Sequence, residues 1–170
     1  MEIRRAVPAD GPAFLALVHA LAEFENLPPP DSEAGGRLLK DAFADPPRFA
    51  LWVVPRAAVQ NGASASASDG DGSDTQELPP LVAYAVTFAT YSTFLARPTL
   101  YLEDLFVHPA ARRRGIATAL LAFLRKRAIE QGCGRMDWSV LDWNRGALAL
   151  YSKLGAEYMS SWQLMRIDLP

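Results

Sequence analysis

A chain of 170 residues, half of them hydrophobic and 21% charged, suits one soluble domain with a substantial core. Its net charge of −2 excludes a general affinity for nucleic acid, which needs a basic excess. Residues 57–80 hold Asp69, Asp71, Asp74 and Glu77 with no Lys or Arg; setting those four acids aside turns −2 into +2, leaving a body able to hold an anion. The single Cys133 offers no internal disulfide, and with only two histidines it makes no metal set. No apolar N-terminal run and no long apolar window points to a signal peptide or a membrane span, so a cytoplasmic protein is expected.

In chain order, residues 2–7 read as a short strand closed by Pro8, and Asp10 as the N-cap of a helix with Pro12 in its first turn. Phe14, Leu17, Val18, Leu21 and Phe24 recur at helical spacing over 11–25, and the Pro28–Pro30 run breaks that helix. A second helix is expected at about 32–44, with Leu38, Leu39 and Phe43 turned inward. Phe49–Val54 follows as a strand rich in β-branched and aromatic residues. Residues 57–80 are small and polar without periodicity. Such a composition buries too little to offset its ordering entropy, so the segment reads as a flexible insertion between two strands of a hairpin.

Leu81–Phe88 and Leu100–Val107 read as strands. A helix from about 113 to 131 carries Ile116, Leu120, Leu121, Leu124 and Ala128 on one stripe and ends at Gly132 and Gly134. Met136–Leu141 reads as a strand, Arg145–Lys153 as a short helix ended by Gly155, and Tyr158–Ile167 as one or two closing strands. This order describes a single α/β (α+β) domain over residues 1–170, a mixed central sheet flanked by helices.

The densest chemistry lies where the strand ending at Val107 and Pro109 gives way to the helix opened by Arg112-Arg113-Arg114-Gly115-Ile116-Ala117. A helix start exposes unpaired N–H groups backed by the positive end of the macrodipole, a ready pyrophosphate site. Gly115 and Ala117 are small enough to let phosphates reach those amides, and the arginines add charge that otherwise opposes the dipole. The alternative is a solvated basic helix start. The stretch is neither a Walker A loop nor a GxGxxG fingerprint.

Arg-x-x-Gly-x-Ala after a strand ending Asp-Leu-Phe-Val-His-Pro resembles the acetyl-coenzyme A signature of the GNAT superfamily of N-acetyltransferases. Tyr101-Leu102-Glu103-Asp104 resembles the YLED tetrad of its diamine (spermidine/spermine-type) branch. Trp143-Asn144 with Tyr151 and Gly155-Ala156 is similar to the family's W-N…F-Y-x-x-x-G-A, and Leu21–Glu25 to the branch's L-A-x-Y/F-E. The resemblance covers nearly all of the chain outside 57–80. It implies the GNAT fold, a mostly antiparallel sheet of six or seven strands with about four helices, acetyl-CoA as co-substrate, and no metal. It further implies a homodimer, in which Glu25 reaches the partner's site. Coenzyme contacts would fall at Leu105, Phe106 and Val107 for the pantetheine, and at Arg112, Arg113, Arg114, Gly115, Ile116, Ala117 and Thr118 for the pyrophosphate. Asn144, Tyr151 and Lys153 would complete them.

Acetyl transfer needs a neutral amine, hence a base. Glu103 is the candidate: alternation places Glu103, Leu105 and Val107 on one face of the strand, and Asp104 and Phe106 on the other. Asp104 suits either a substrate contact or a partner for an arginine. Tyr151 occupies the family's general-acid position, where its hydroxyl would protonate the departing thiolate; a core tyrosine anchoring its helix is the other reading. Asn144 also suits an N-cap, and Lys153 a solvated surface cation. A backbone N–H near Phe106 would meet the oxyanion of a direct attack on the thioester.

Ser92 stands where polyamine enzymes of the branch carry an aspartate, and Phe94 where they carry a tryptophan. These departures weaken the case for spermidine or spermine. Glu25 and Glu103 still suit a short amine such as a diamine, a lysine analogue or an amino acid. Two other readings remain: a protein acetyltransferase acting on lysine or N-terminal amines, and a coenzyme A-binding module without turnover.

Overall fold

One five-stranded sheet organises the computed structural model, which describes residues 1–60 and 78–169. Strands β1 (Arg4–Arg5), β2 (Ala50–Pro55), β3 (Leu81–Ser92) and β4 (Arg97–Val107) lie side by side with antiparallel neighbours. Strand β5 (Arg135–Trp138) joins β4 in parallel, and a parallel neighbour demands a crossover, which helix α4 (Ile116–Glu130) supplies.

Helix α1 (Gly11–Glu25) has the extent that its apolar spacing predicts, but Asp10 does not cap it by side chain. The Asp10 carboxylate instead accepts from the Arg4 guanidinium at 2.7 and 2.9 Å and from Val7 N–H at 2.8 Å, which ties the helix start to β1. Helix α2 (Ser32–Ala42) is capped by Asp31, whose Oδ1 accepts Ala34 N–H at 2.8 Å.

Strict alternation divides the core. Leu51 and Val53 of β2, Tyr84 and Val86 of β3, and Phe106 of β4 form one cluster with Phe14 and Leu17 of α1. Tyr84 meets Phe14 edge-on at 5.1 Å between ring centroids. Trp52, one residue out of step with that cluster, packs against Phe123 of α4 at 4.9 Å and donates its indole N–H to Thr87 Oγ1 at 3.2 Å. The stripe expected on α4 is buried throughout, with Leu120 and Leu124 fully covered.

Besides the lost Asp10 cap, a strand at Arg135–Trp138 where Met136–Leu141 was expected, and a sheet of five strands among the described residues rather than six or seven, three expectations change. The first strand shrinks to Arg4–Arg5, since after Ala6 donates to Leu51 O at 2.9 Å the chain turns at Pro8, which has no N–H to offer. Between Pro55 and Leu81, paired across β2 and β3, the expected insertion begins with a four-residue helix, α3 (Ala57–Gln60). Residues 61–77 lie outside the described residues. Arg56 donates to Pro80 O and Leu78 O at 2.9 and 2.8 Å, drawing the two ends of the excursion together. Finally, among the described residues Tyr158–Ile167 forms no strand. Its pattern states what a strand would bury, but a strand also needs a neighbour.

The chain divides into two compact units, Met1–Trp138 and the remainder from Ser139. The second is built on α5 (Arg145–Lys153), with Asn144 Oδ1 accepting Ala147 N–H at 3.1 Å and Gly155 in the left-handed region at φ 82°.

Candidate active site

Strand β4 positions the acidic residues, and a bulge decides where they point. Asp104 pairs with Val86 and Leu102 with Thr87, leaving Glu103 as an extra residue without a partner on β3. From Asp104 onward the expected alternation holds: Asp104 and Phe106 share the α1 face with Val86 and Tyr84, while Leu105 and Val107 lie on the other. Glu103 stands outside this ladder of pairs and is exposed.

The same bulge marks where β4 and β5 part. Their parallel ladder runs from Thr99 opposite Arg135 to Leu102 opposite Trp138 and is recorded no further. Over residues 103–107, one edge of β4 therefore has no strand beside it among the described residues. The side chain of Arg112 reaches this edge, its Nε donating to Val107 O at 3.1 Å.

Asp104 is half-buried, and its carboxyl is pushed up from 3.8 to about 6. Burial is the main cause; the charges of Glu103 and then Glu25 add to it, opposed by the Tyr84 hydroxyl, which donates to Oδ2 at 3.3 Å. Burial raises Glu25 as well. Glu25 thus acts on Asp104 within one chain, from the last turn of α1. Among the described residues none of these three carboxylates forms an ion pair. Tyr84 is the member that sequence reasoning missed, because a tyrosine inside Leu81–Phe88 carries no mark separating it from an ordinary core aromatic.

A 3-10 turn, Pro109–Ala111, carries the chain from β4 into Arg112–Gly115, and helix geometry begins only at Ile116. Arg113 (φ 62°) and Gly115 (φ 75°) both take left-handed conformations. The first bond back from the helix is Ala119 N–H to Gly115 O at 3.0 Å, and no side chain caps the end. The amides of 113–118 thus meet no protein acceptor among the described residues. A Cβ on Gly115 would touch nothing within 4 Å, so the glycine serves backbone conformation and access rather than packing. Arg113 and Arg114 are exposed at this mouth, whereas Arg112 turns back to stack on Phe24 and Phe106.

Ser92 and Phe94 lie at the far end of the hairpin formed by β3 and β4. Ser92 is buried and its Oγ accepts Leu95 N–H at 3.3 Å, closing the β3–β4 turn. Phe94 at that turn is 97% exposed. Along β4 this tip stands about 20 Å from Asp104, at roughly 3.3 Å per residue, so one chain does not bring Ser92 and Phe94 to the acidic group. In the second unit, Tyr151 lies on α5 with its hydroxyl's pKa raised by burial; Asn144 caps that helix, and Lys153 is exposed in its last turn. A shallow pocket of about 250 Å³ opens beside Arg5, Arg48, Thr87, Phe88 and Gln131 and includes none of the expected site residues. No group of His, Cys, Asp and Glu among the described residues is arranged to hold a metal. No described helix is long and apolar enough to cross a membrane.

Known proteins share this architecture. The chain is similar to thialysine N-epsilon-acetyltransferase of Mus musculus, at 32% identity over 98% of this chain and 92% of that protein. It is similar to L-ornithine N5-acetyltransferase of Arabidopsis thaliana at 28% identity, over 98% of this chain and 83% of that protein. Among solved structures, a probable acetyltransferase superposes with a TM-score of 0.75 at 17% identity, covering 100% of this chain and 99% of the other. Residues 20–156 match the acetyltransferase (GNAT) family, whose members draw on acetyl-CoA, and with the relatives this establishes that the chain belongs to that family and is an N-acetyltransferase.

Proposed function

We propose that the chain acetylates the primary amine of a small molecule bearing a second polar charge, such as a diamine, polyamine, thialysine or ornithine-like amino acid. The observation that carries this reading is the unpaired carboxylate group of Glu25, Glu103 and Asp104 beside the open edge of β4. The charges of Glu103 and Glu25 raise the proton affinity of Asp104, the three acids lack a cation, and a short amine with a second ammonium supplies one. Two relatives are named for thialysine and L-ornithine, both short molecules with two amines.

In this reading the coenzyme pyrophosphate rests on the amides of 113–118, with Arg113 and Arg114 adding charge, and the pantetheine follows Leu105, Phe106 and Val107. Asn144 contributes through its backbone, since its side chain is committed to the cap, and Lys153 adds a cation. Asp104 takes over from Glu103 as the base. A carboxyl near 6 is largely ionised at neutral pH yet basic enough to accept a proton from the ammonium, directly or through water. The neutral nitrogen attacks the thioester carbon, the C–N bond forms, and an N–H of the unpaired edge meets the oxyanion. The C–S bond then breaks, Tyr151, kept protonated by burial, protonates the thiolate, the nitrogen's second proton returns through water to the Tyr151 phenolate, and Asp104 releases its proton to solvent. A cytoplasmic homodimer completes the reading, in which Ser92 and Phe94 enter a site only from a second copy.

Incubating the protein with acetyl-CoA and separate acceptors (L-ornithine, thialysine, spermidine, and peptides with a free lysine or N-terminal amine), with free thiol as the readout, tests it. Small-amine turnover is expected. Turnover of peptides alone would replace the reading with protein acetylation, and coenzyme binding without thiol release would replace it with a binding module.

A further inference from the structure

We propose that Arg112 is a positioning residue that clamps the end of α1 to the coenzyme turn, so that the acidic group and the anion turn form a single unit; this rests on the acetyltransferase reading above. The Arg112 guanidinium lies over two aromatic rings, 4.9 Å from the centroid of Phe24 and 5.7 Å from that of Phe106, while its Nε donates to Val107 O at 3.1 Å. Those anchors come from the last turn of α1, the interior of β4 and the end of β4. Among the described residues Arg112 forms no ion pair, so its place is set by stacking and by one carbonyl.

Each anchor leads to one half of the site. Phe24 precedes Glu25, and both sit on a turn closed by Asn26 in the left-handed region at φ 56°, whose N–H reaches Ala22 O and Glu23 O. Phe106 lies two residues beyond Asp104 on the same face, against Tyr84. On the other side, Arg112 is joined directly to Arg113, a left-handed residue of the anion turn. Moving the guanidinium therefore shifts the turn that would grip a diphosphate and loosens the helix end that carries Glu25. Lysine cannot replace it, because an ammonium offers neither a flat face for two rings nor a donor at Nε. A coenzyme that orders the turn thus orders the acidic group, and by linkage an amine held there strengthens coenzyme binding equally.

Hydrogen exchange on the full chain, with coenzyme A as the probe, tests this in the wild type and in Phe24→Leu, Phe24→Tyr and Arg112→Lys. Phe24 is outside the expected coenzyme contacts, so Phe24→Leu should still bind coenzyme A, with a Kd raised by no more than about tenfold. In the wild type, coenzyme A should slow exchange at 113–119 and also, by about fivefold or more, at 24–27. Phe24→Leu and Arg112→Lys should lose the remote protection, and Phe24→Tyr, which keeps the ring, should retain it. A generally weakened fold would not spare the 113–119 signal while erasing only the other. Wild type protected at 113–119 but not at 24–27, or Phe24→Leu protected at both, overturns the clamp. Wild type protected at neither overturns the placement of the coenzyme on this turn, and the clamp falls with it.

Discussion

Replacing Asp104 by asparagine should stabilise the protein at neutral pH while crippling it. The carboxyl ionises at about 6 instead of 3.8 because ionising it beside Glu103 and Glu25, in a half-buried place, is unfavourable. At about 1.36 kcal/mol per pH unit, that displacement makes the folded state roughly 3 kcal/mol less stable once the group is fully charged. The sign follows from proton counts. Between 3.8 and about 6 the folded chain holds a proton that the unfolded chain has lost, so stability falls as pH rises through this window and is level above it. The amide of Asp104→Asn would carry no charge, would still accept from the Tyr84 hydroxyl, and could donate to the neighbouring carboxylates. The gain at pH 7.5 should be about 1–3 kcal/mol, or about 2–4 °C in Tm per kcal/mol, shrinking towards zero at pH 4. Thermal unfolding of both proteins at pH 4, 5.5 and 7.5 measures it. A variant less stable at pH 7.5, or a difference independent of pH, would refute the electrostatic argument; unimpaired turnover would remove Asp104 as the base.

Tyr84→Phe deletes the one hydrogen bond that holds the Asp104 carboxyl down. Activity is lost as pH falls through the pKa of the base, so the acid limb of the pH–rate profile should move to higher pH; an unmoved limb separates the pair from catalysis. Gly115→Ala meets no steric obstacle, and its cost is that of a side chain at φ 75°, about 1 kcal/mol, read as a Tm lower by about 2–4 °C together with weaker coenzyme A binding by calorimetry. Tyr151→Phe should lower kcat on the order of 100-fold and spare the Kd for coenzyme A, and equal losses in both would recast the tyrosine as structural.

Much of this molecule is determined by short-range pattern. The extents of α1 and α5, the buried stripe of α4 and the Asn144 cap follow from helical spacing and from residues acting within a few positions of one another. The anion turn is equally local, since Gly115 and a strand–turn–helix order suffice to leave the amides of 113–118 open. What only the tertiary structure decided is which side chains meet across the sheet. No local cue announces the bulge at Glu103, because it arises from the pairing of β4 with β3, and that single skipped partner leaves Glu103 outside the ladder. Pairing also determines that β5 ends beside Leu102 and opens the edge that follows. Tyr84 meets Asp104, and Phe24 meets Arg112, across separations of 20 and 88 positions, and among the described residues the strand expected at 158–167 does not form. Periodicity determines which face of an element is apolar; the register of its neighbours then selects the partner, and the chemistry here lies in those partners.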